Sequence, residues 1–573
     1  MSRVMQTLSR WIDSRLSKAL EALLVVGALV PVYLWLSRLA AGANQWDDLL
    51  YLHTALNPEP LSYILNRYAH IYWLRILYLL DGDIFTAARH YWAFIVVGTV
   101  ALSYTAARLL GRSRLMGAAV SVAILGQFWL FEINGSPLAD FSVMWMICAG
   151  VVVYLLLFRV QGWSRQGLLV LFGLILYLAF RMKETGAALA FLVVGMGWLE
   201  GEKFELRTIL RSAVWILAGA LAGVVLMSAL DGVFLGDPWF AFRPSSYQKL
   251  ANFNYGDWEN WNFERSIESR MLRFLVADIS AFSMFGLYFV GLRKPASRSW
   301  AEQVLWMLPL AVILFLFASR FQPQIRYLYI VIPLMVVLAL AQYRAEAPAR
   351  PRDMILGWGG AALMLAVYGL GQPYLRAFVA RGNWEMVPFQ GAVIVPLLTG
   401  VLAGGYALIK TWNRAMIAVP AAIFLMMFLP FVQYNQHILE TQKFNLPVAS
   451  RYYPYEVFRS EIEYSPEMKI FVDNRLSDYA YKRDTKRFSY GMLGRSEVSQ
   501  SWVFNLYFSQ KARPDQFVMG TEADYLANPQ AYDYAFIPYK TWFDVPDSDR
   551  TPLESRIQVQ TDPDELFVFI TRK

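Results

Sequence analysis

The chain has 573 residues, of which 57% are hydrophobic, 16% aromatic and only 17% charged. Its mean hydropathy of +0.36 is too high for a water-soluble globular protein, so the sequence predicts a protein that lies in lipid. The net charge is +8, but the basic residues form short clusters between apolar runs, which is typical of membrane orientation signals. We therefore expect membrane lipids, and no nucleic acid, among its partners.

The first apolar run extends from about Ala19 to Leu36, follows four basic residues and precedes a small-residue stretch at 41–43. A cleaved signal peptide is one interpretation of this pattern. The run is longer than a usual signal core, and an acidic pair follows it at once, which favours a retained membrane span.

A helix needs about 20 apolar residues to cross a bilayer. On this criterion the sequence predicts an α-helical polytopic membrane protein with about thirteen spans. They are 19–37, 91–108, 115–132, 141–158, 167–180, 185–199, 212–230, 273–291, 302–318, 327–342, 354–371, 388–409 and 416–433.

Two of these spans, 167–180 and 185–199, are short and are joined by residues 181–186, RMKETG. One kinked helix or a re-entrant pair is the alternative to two crossings. Two crossings make every inner loop basic when the N-terminus is cytoplasmic, as the positive-inside rule expects. The residues after the last span then lie on the outer face.

Long segments between and after the spans predict further structure. Residues 49–65 and 70–80 have apolar residues at helical spacing, which predicts interfacial helices in the first outer loop. The tail alternates short buried strands with helices, at 469–473, 515–518 and 534–538, and closes with a hairpin of 556–560 and 565–570. We therefore expect a transmembrane domain at 1–434 and a small soluble α/β domain at 435–573.

The sharpest chemical signal is the adjacent pair Asp47 and Asp48, in the sequence WDDLLY just after the first span. Ionised groups at a membrane surface are costly unless they are solvated or used. The structural alternative is that the pair caps the next helix, because Asp favours helix N-termini.

With this pair the chain resembles the GT-C glycosyltransferases, and within them the bacterial aminoarabinose transferases of lipid A and the protein O-mannosyltransferases. Those enzymes open their first outer loop with an acidic pair followed shortly by Tyr, as do Asp47, Asp48 and Tyr51. Asp140 at the start of the fourth span and Lys183 in the 180–186 stretch also agree. The basic-Tyr sequence at 320–327 agrees too, whereas KETG at 183–186 departs from the usual Lys-Gly-Pro and leaves the sugar and acceptor open.

The resemblance implies a GT-C-like transferase of the bacterial inner membrane, with its N-terminus cytoplasmic and its tail periplasmic. It would move a sugar from a polyprenyl-phosphate donor to a lipid, glycan or protein acceptor, with inversion. Asp47 would be the base, and Asp48 or Asp140 would orient the acceptor or stabilise the sugar's developing positive charge. Tyr51, His70 and Tyr327 would position the substrate.

The leaving phosphate needs cations rather than a general acid. Basic residues of the outer segments suit this role, because topology does not explain positive charge there. The candidates for donor phosphate binding are Arg67, Arg181, Lys183, Arg243, Arg320 and Arg326. For any single one of them, a lipid-headgroup contact or a snorkelling side chain is the alternative.

The four histidines have no paired spacing, so we expect no metal and no cofactor. Two other functions remain as alternatives: an O-antigen ligase type of transferase, and a transporter or flippase of lipid-linked sugars. The acidic pair followed by Tyr favours a transferase that uses a polyprenyl-phosphate sugar over the ligase. Charges at the ends of spans, and the lack of a visible repeat, disfavour transport.

Overall fold

A computed structural model describes residues 18–37, 46–58, 60, 66–112, 114–125, 138–244, 288, 299–318, 330–341, 461–473, 479–482, 487–490, 516–561 and 567–573. Within these ranges the chain forms a helical bundle and, further along, a mixed β-sheet. The main helices of the bundle are α1 (Lys18–Leu36), α2 (Trp46–Leu56), α3 (Tyr68–Asp81), α4 (Ile84–Leu109), α5 (Arg114–Leu125), α6 (Ala139–Leu157), α7 (Gly162–Met182), α8 (Leu206–Leu235), α9 (Trp300–Ala318) and α10 (Ile332–Ala341).

Four helices of the described part, α4, α6, α7 and α8, are long and apolar enough to cross a membrane. They coincide with the predicted spans 91–108, 141–158, 167–180 and 212–230. Helices α1, α5, α9 and α10 lie at four more predicted spans, 19–37, 115–132, 302–318 and 327–342. Apart from Tyr288, the predicted spans 273–291, 354–371, 388–409 and 416–433 are outside the described residues, so the total of thirteen stays a prediction.

The segment between α1 and α4 contains two helices, α2 and α3, as the spacing predicted. Helix α2 ends at Leu56, well before the predicted end at residue 65. Pro58 follows closely, and a residue that precedes proline is disfavoured in the α conformation, so the helix cannot continue.

The segment after α7, Glu184–Trp198, is not a regular helix, and we name it the return segment. It is a 3₁₀ helix over Glu184–Phe191, one α turn, and a second 3₁₀ turn that ends at Trp198. A 3₁₀ helix rises about 2.0 Å per residue against about 1.5 Å in an α-helix. The return segment therefore reaches about 28 Å, close to the thickness of the hydrocarbon core, and the crossing at 185–199 stays a prediction.

Helices α7 and α8 approach each other through glycines. A Cβ atom added to Gly219 would lie 1.8 Å from the carbonyl oxygen of Val170, and one added to Gly173 would lie 1.9 Å from that of Ile216. Small residues allow backbones to approach this closely, and such contacts are how helices associate in lipid, where hydrophobic burial gives little driving force. This contact packs the middle of α7 against the middle of α8.

The two ends of the bundle differ chemically. At one end, Glu21 of α1 accepts hydrogen bonds from Nε of Arg108, at 2.8 Å, and Nε of Arg114, at 2.7 Å, and from the hydroxyl of Tyr104. Helix α1 is thus tied by charge to α4 and α5. The opposite end carries helix α3 and the polar residues described below.

The tail contains a five-stranded sheet in the order β4–β1–β5–β7–β6. Its strands are β1 (Ile470–Asp473), β4 (Phe517–Gly520), β5 (Tyr534–Pro538), β6 (Ile557–Thr561) and β7 (Phe567–Arg572), and a separate hairpin pairs β2 (Tyr479–Lys482) with β3 (Arg487–Tyr490). Strand β1 is parallel to β4 and β5, whereas β7 is antiparallel to β5 and β6. All five strands of the sheet lie within two residues of the predicted positions.

Side chains along the central strands alternate between the two faces of the sheet, and both faces are buried. The sequence of these strands is therefore continuously apolar. Val472 and Phe536 point to one face, and Phe471 and Ile537 to the other. Three short helices accompany the sheet, α11 (Glu522–Ala527), α12 (Tyr539–Asp544) and α13 (Asp547–Glu554). Trp542 of α12 is buried in the second face.

Candidate active site

Helix α3 lies at the end of the bundle away from Glu21, and its first two turns are buried. Tyr68, His70 and Tyr72 are each at most 1% exposed. Gly82 ends the helix with a φ of +70°, a conformation that glycine adopts without strain. Polar side chains of α3 contact α6 and α8, so this helix holds the site together.

The central contact of the site joins Lys183 to Asp140. Nζ of Lys183 donates to Oδ1 of Asp140 at 2.7 Å, and their side chains are 4% and 2% exposed. Asp140 lies in the first turn of α6, where the helix dipole favours a carboxylate. The structure thus brings together two residues that the sequence placed 43 positions apart and assigned to catalysis and phosphate binding.

A tight turn places Lys183. The residue ends α7, and the N–H of Gly186 bonds back to its carbonyl oxygen at 2.9 Å. A Cβ atom on Gly186 would lie 2.3 Å from the carbonyl group of Ala179. A side chain at position 186 would clash with this backbone, so the turn requires glycine there. The resemblance to the Lys-Gly-Pro stretch did not predict this requirement.

Arg181 lies two residues earlier and is also buried, with 2% of its side chain exposed. Its guanidinium lies 3.4 Å from Oδ2 of Asp231 on α8, and the hydroxyl of Tyr72 donates to Oδ1 of the same carboxylate at 2.6 Å. Burial, followed by the charge of Asp231, raises the pKa of Tyr72 above its ordinary value, so the phenol keeps its proton and remains a donor.

His70 lies in a polar and aromatic cluster. Its Nδ1 is 2.8 Å from the hydroxyl of Ser142, which also hydrogen-bonds Tyr91. The ring of Tyr51 packs edge-on against His70, with 4.9 Å between ring centroids. Two of the predicted substrate-positioning residues, Tyr51 and His70, are therefore in direct contact.

Arg67 lies at the edge of the site, directly before α3. Its guanidinium is 5.9 Å from the ring centroid of Tyr51 and 3.8 Å from Oε1 of Glu184 in the return segment. The side chain is 22% exposed, so Arg67 is more accessible than Arg181 and Lys183. Arg243 is different, because it is 59% exposed and pairs at 2.9 Å with Asp237 of its own loop.

Asp47 and Asp48 form the first turn of α2. This position is compatible with the capping alternative, because carboxylates are favourable at a helix N-terminus. Their side chains, like all of Arg320, Arg326 and Tyr327, lie outside the described part of the structure. The assignments of these five residues stay predictions.

Sequence analysis did not identify four residues of this cluster as candidate site residues: Asp231, Tyr72, Ser142 and Tyr91. Asp231 had a detectable signal, since it is the one carboxylate in the 30 residues of α8, and an ionisable residue inside an apolar span marks a functional site by default. The hydroxyl partners had no such signal, because aromatic and Ser residues are common in membrane helices and only tertiary contacts single them out.

A cavity of about 250 Å³ adjoins the site. It lies between the return segment and α9, and its lining is apolar apart from Glu184 and Thr185 at one end. Within the described ranges, no three His, Cys, Asp or Glu residues lie together in a way that would hold a metal ion. The expectation of a metal-free site stays a prediction.

No protein-family model and no curated protein sequence matches the chain. Its fold resembles solved structures of ArnT from Cupriavidus metallidurans. The form bound to undecaprenyl phosphate is 16% identical over 97% of this chain and 98% of that one, with a TM-score of 0.52. The apo form is 15% identical over 96% and 97%, with a TM-score of 0.50. The arabinosyltransferase EmbB from Mycobacterium smegmatis is more distant, with 13% identity over 75% of this chain and 42% of that one, and a TM-score of 0.45.

ArnT is a GT-C glycosyltransferase. The chain therefore shares its fold with a GT-C glycosyltransferase, as the sequence resemblance implied. The likeness extends over nearly the whole length of both chains. At this level of identity it establishes the fold, and the activity is argued separately from the site.

Proposed function

We propose that the protein is an integral membrane glycosyltransferase that moves a sugar from a polyprenyl-phosphate donor to a lipid, glycan or protein acceptor. The observation that carries this proposal is the buried pair of Lys183 and Asp140, with Arg181 beside it, at the end of a GT-C bundle. Buried charges are costly in a membrane protein, so their retention points to use. ArnT, which shares the fold, was solved with undecaprenyl phosphate bound.

The reaction is an inverting displacement. A hydroxyl or amine of the acceptor attacks the anomeric carbon of the sugar, the bond from that carbon to the phosphate oxygen breaks, and its electrons leave with the polyprenyl phosphate. Asp47 takes the acceptor's proton, which contributes about 10² to 10⁴ in rate. Asp48 and Asp140 orient the acceptor or stabilise the positive charge that develops on the sugar.

Cations bind the phosphate of the donor and of the leaving group. Lys183 and Arg181 supply buried positive charge, and Arg67 supplies an accessible guanidinium at the same end of the bundle. Arg243, Arg320 and Arg326 complete the proposed set. The apolar cavity beside Glu184 suits the first part of an isoprenoid chain.

Tyr51, His70 and Tyr327 position the sugar or acceptor, and we propose that no metal or other cofactor takes part. The protein would lie in the bacterial inner membrane with its N-terminus in the cytoplasm. Residues 435–573 would then be periplasmic, and the acceptor would bind between them and the membrane domain.

The test is sugar transfer from labelled polyprenyl-phosphate donors to a membrane extract, with the native protein and with Asp47→Asn. We expect transfer with the native protein and loss of at least about a hundredfold with Asp47→Asn. Equal transfer by both removes Asp47 from catalysis. No transfer from any donor would contradict the proposal and favour the ligase or the transporter.

A further inference from the structure

Asp231 is a buried carboxylate that the proposed reaction does not use. It is 0% exposed and lies near the C-terminal end of α8, which finishes at Leu235. A negative charge is unfavourable there, because the helix dipole also presents its negative end. Desolvation adds to this cost. The hydroxyl of Tyr72 and the guanidinium of Arg181 are the compensation that the structure provides.

The two contacts are unequal. Tyr72 donates at 2.6 Å, whereas the guanidinium of Arg181 is 3.4 Å away. Among the described residues, Nε of Arg181 has no hydrogen-bond partner, although the side chain is buried. Buried donors are almost always satisfied in native proteins. A loosely paired guanidinium with a spare donor suits a residue that also meets an anionic ligand.

The charges of the turn are balanced. Lys183 pairs with Asp140, Arg181 with Asp231 and Arg67 with Glu184, so three cations face three carboxylates in this part of the described structure. The proposed reaction makes this balance important, because the phosphate gains charge when the sugar leaves. The donor is a phosphodiester with one negative charge, and the product is a monoester with about −1.5 to −2 at pH 7. A site with uncompensated cations would hold the product more tightly than the donor.

We propose that Asp231 limits the positive charge that Arg181 presents to the lipid-linked phosphate, and so allows the product phosphate to leave. The hydrogen bond from Tyr72 stabilises part of the negative charge of the Asp231 carboxylate, so less of that charge acts on Arg181. Asp231 and Tyr72 are positioning residues in this account, since they act through Arg181. The inference rests on the proposed function.

The two residues are expected to have opposite effects. In Asp231→Asn the charge of Arg181 is uncompensated, so polyprenyl phosphate should inhibit about tenfold more strongly, with a smaller fall in the donor KM because the donor carries less charge. In Tyr72→Phe the whole carboxylate charge acts on Arg181, so product inhibition should weaken, by about threefold for a change of about 0.6 kcal/mol in the charge interaction. Structural damage alone would not move the two variants in opposite directions.

The experiment measures the inhibition constant of polyprenyl phosphate and the donor KM for both variants. Tyr78→Phe is the matched control, because Tyr78 lies on the same helix and contacts Arg75 instead; it should match the native protein. Should Asp231→Asn fail to fold, Tyr72→Phe decides. Product inhibition that is unchanged or stronger in Tyr72→Phe overturns the inference alone, whereas a native protein that transfers no sugar overturns the proposed function.

Discussion

Lys183 and Asp140 form a buried ion pair, with 2.7 Å between Nζ and Oδ1, that joins the end of α7 to the start of α6. Both side chains are buried, so the ion pair compensates much of their lost hydration until a substrate arrives. The phosphate and hydroxyl groups of a lipid-linked sugar are the chemistry that would replace these partners.

Removing one member of the pair should cost stability as well as activity. Lys183→Met leaves Asp140 buried without its partner, and we expect a loss of about 3 to 5 kcal/mol in the free energy of unfolding. The double variant Lys183→Met with Asp140→Leu should recover most of this loss but no sugar transfer. Thermal unfolding in detergent and a transfer assay measure the two effects. If the double variant transferred sugar, the pair would be purely structural.

The contact between α7 and α8 should not tolerate a methyl group. Gly173→Ala places a Cβ atom against the backbone of Ile216, and overpacking of this kind costs about 1 to 3 kcal/mol. Gly167→Ala is the control, because it lies on the same helix with no atom within 4 Å of the added Cβ. The unfolding temperature of Gly173→Ala should therefore be the lower of the two. Equal unfolding temperatures would contradict a tight contact between α7 and α8.

The Glu21 cluster should hold α1 in the bundle. Glu21→Gln weakens charged hydrogen bonds from Arg108 and Arg114, and we expect a loss of about 1.5 to 3 kcal/mol in stability. Glu200→Gln removes a carboxylate from an exposed pair, 3.9 Å from Arg211, and should change stability by less than about 1 kcal/mol. A loss no greater than that of the control would contradict a role for this cluster.

His53 should make the protein acid-sensitive. Burial lowers its pKa from 6.5 to about 4, so between these values the unfolded chain binds a proton that the folded protein excludes. Above pH 6.5 His53 is neutral in both states and does not lower the free energy of unfolding. As the pH drops from 6.5 toward 4, the free energy of unfolding falls by about 1.4 kcal/mol per pH unit at most. Unfolding of native protein and His53→Gln across this range measures it. The variant should show the smaller pH dependence, and equal slopes would exclude His53 as the cause.

Much of the fold could be predicted from the sequence, because lipid imposes long apolar runs and a buried sheet imposes short ones. The helices at 91–108 and 141–158 and the strand at 534–538 follow from these periods alone. The irregular geometry of the return segment could not be predicted in this way, because an apolar run of this length fits a 3₁₀ helix and an α-helix equally well. Here the tight turn at Gly186 and the tertiary contacts decide the geometry.

Sequence analysis placed several of the residues that meet at this end of the bundle among its candidates, and their functional roles stay predictions. The resemblance to the GT-C transferases singled out Asp140 and Lys183, and Arg181 was a candidate because topology does not explain positive charge on a predicted outer segment. What the sequence could not give was the pairing, Lys183 with Asp140 and Arg181 with Asp231, because pairing depends on how helices cross. Tyr72 and Ser142 are ordinary residues until those crossings bring a carboxylate or an imidazole to them.

The most direct test of the central claim compares donor classes with the purified protein in liposomes. A radiolabelled sugar is supplied either on polyprenyl phosphate or on a nucleotide, with a membrane extract as acceptor, and both transferred sugar and released polyprenyl phosphate are counted. We expect transfer from the polyprenyl-phosphate donor alone, with one polyprenyl phosphate released for each sugar transferred. Transfer from the nucleotide donor, or sugar loss without an equal release of polyprenyl phosphate, would contradict it.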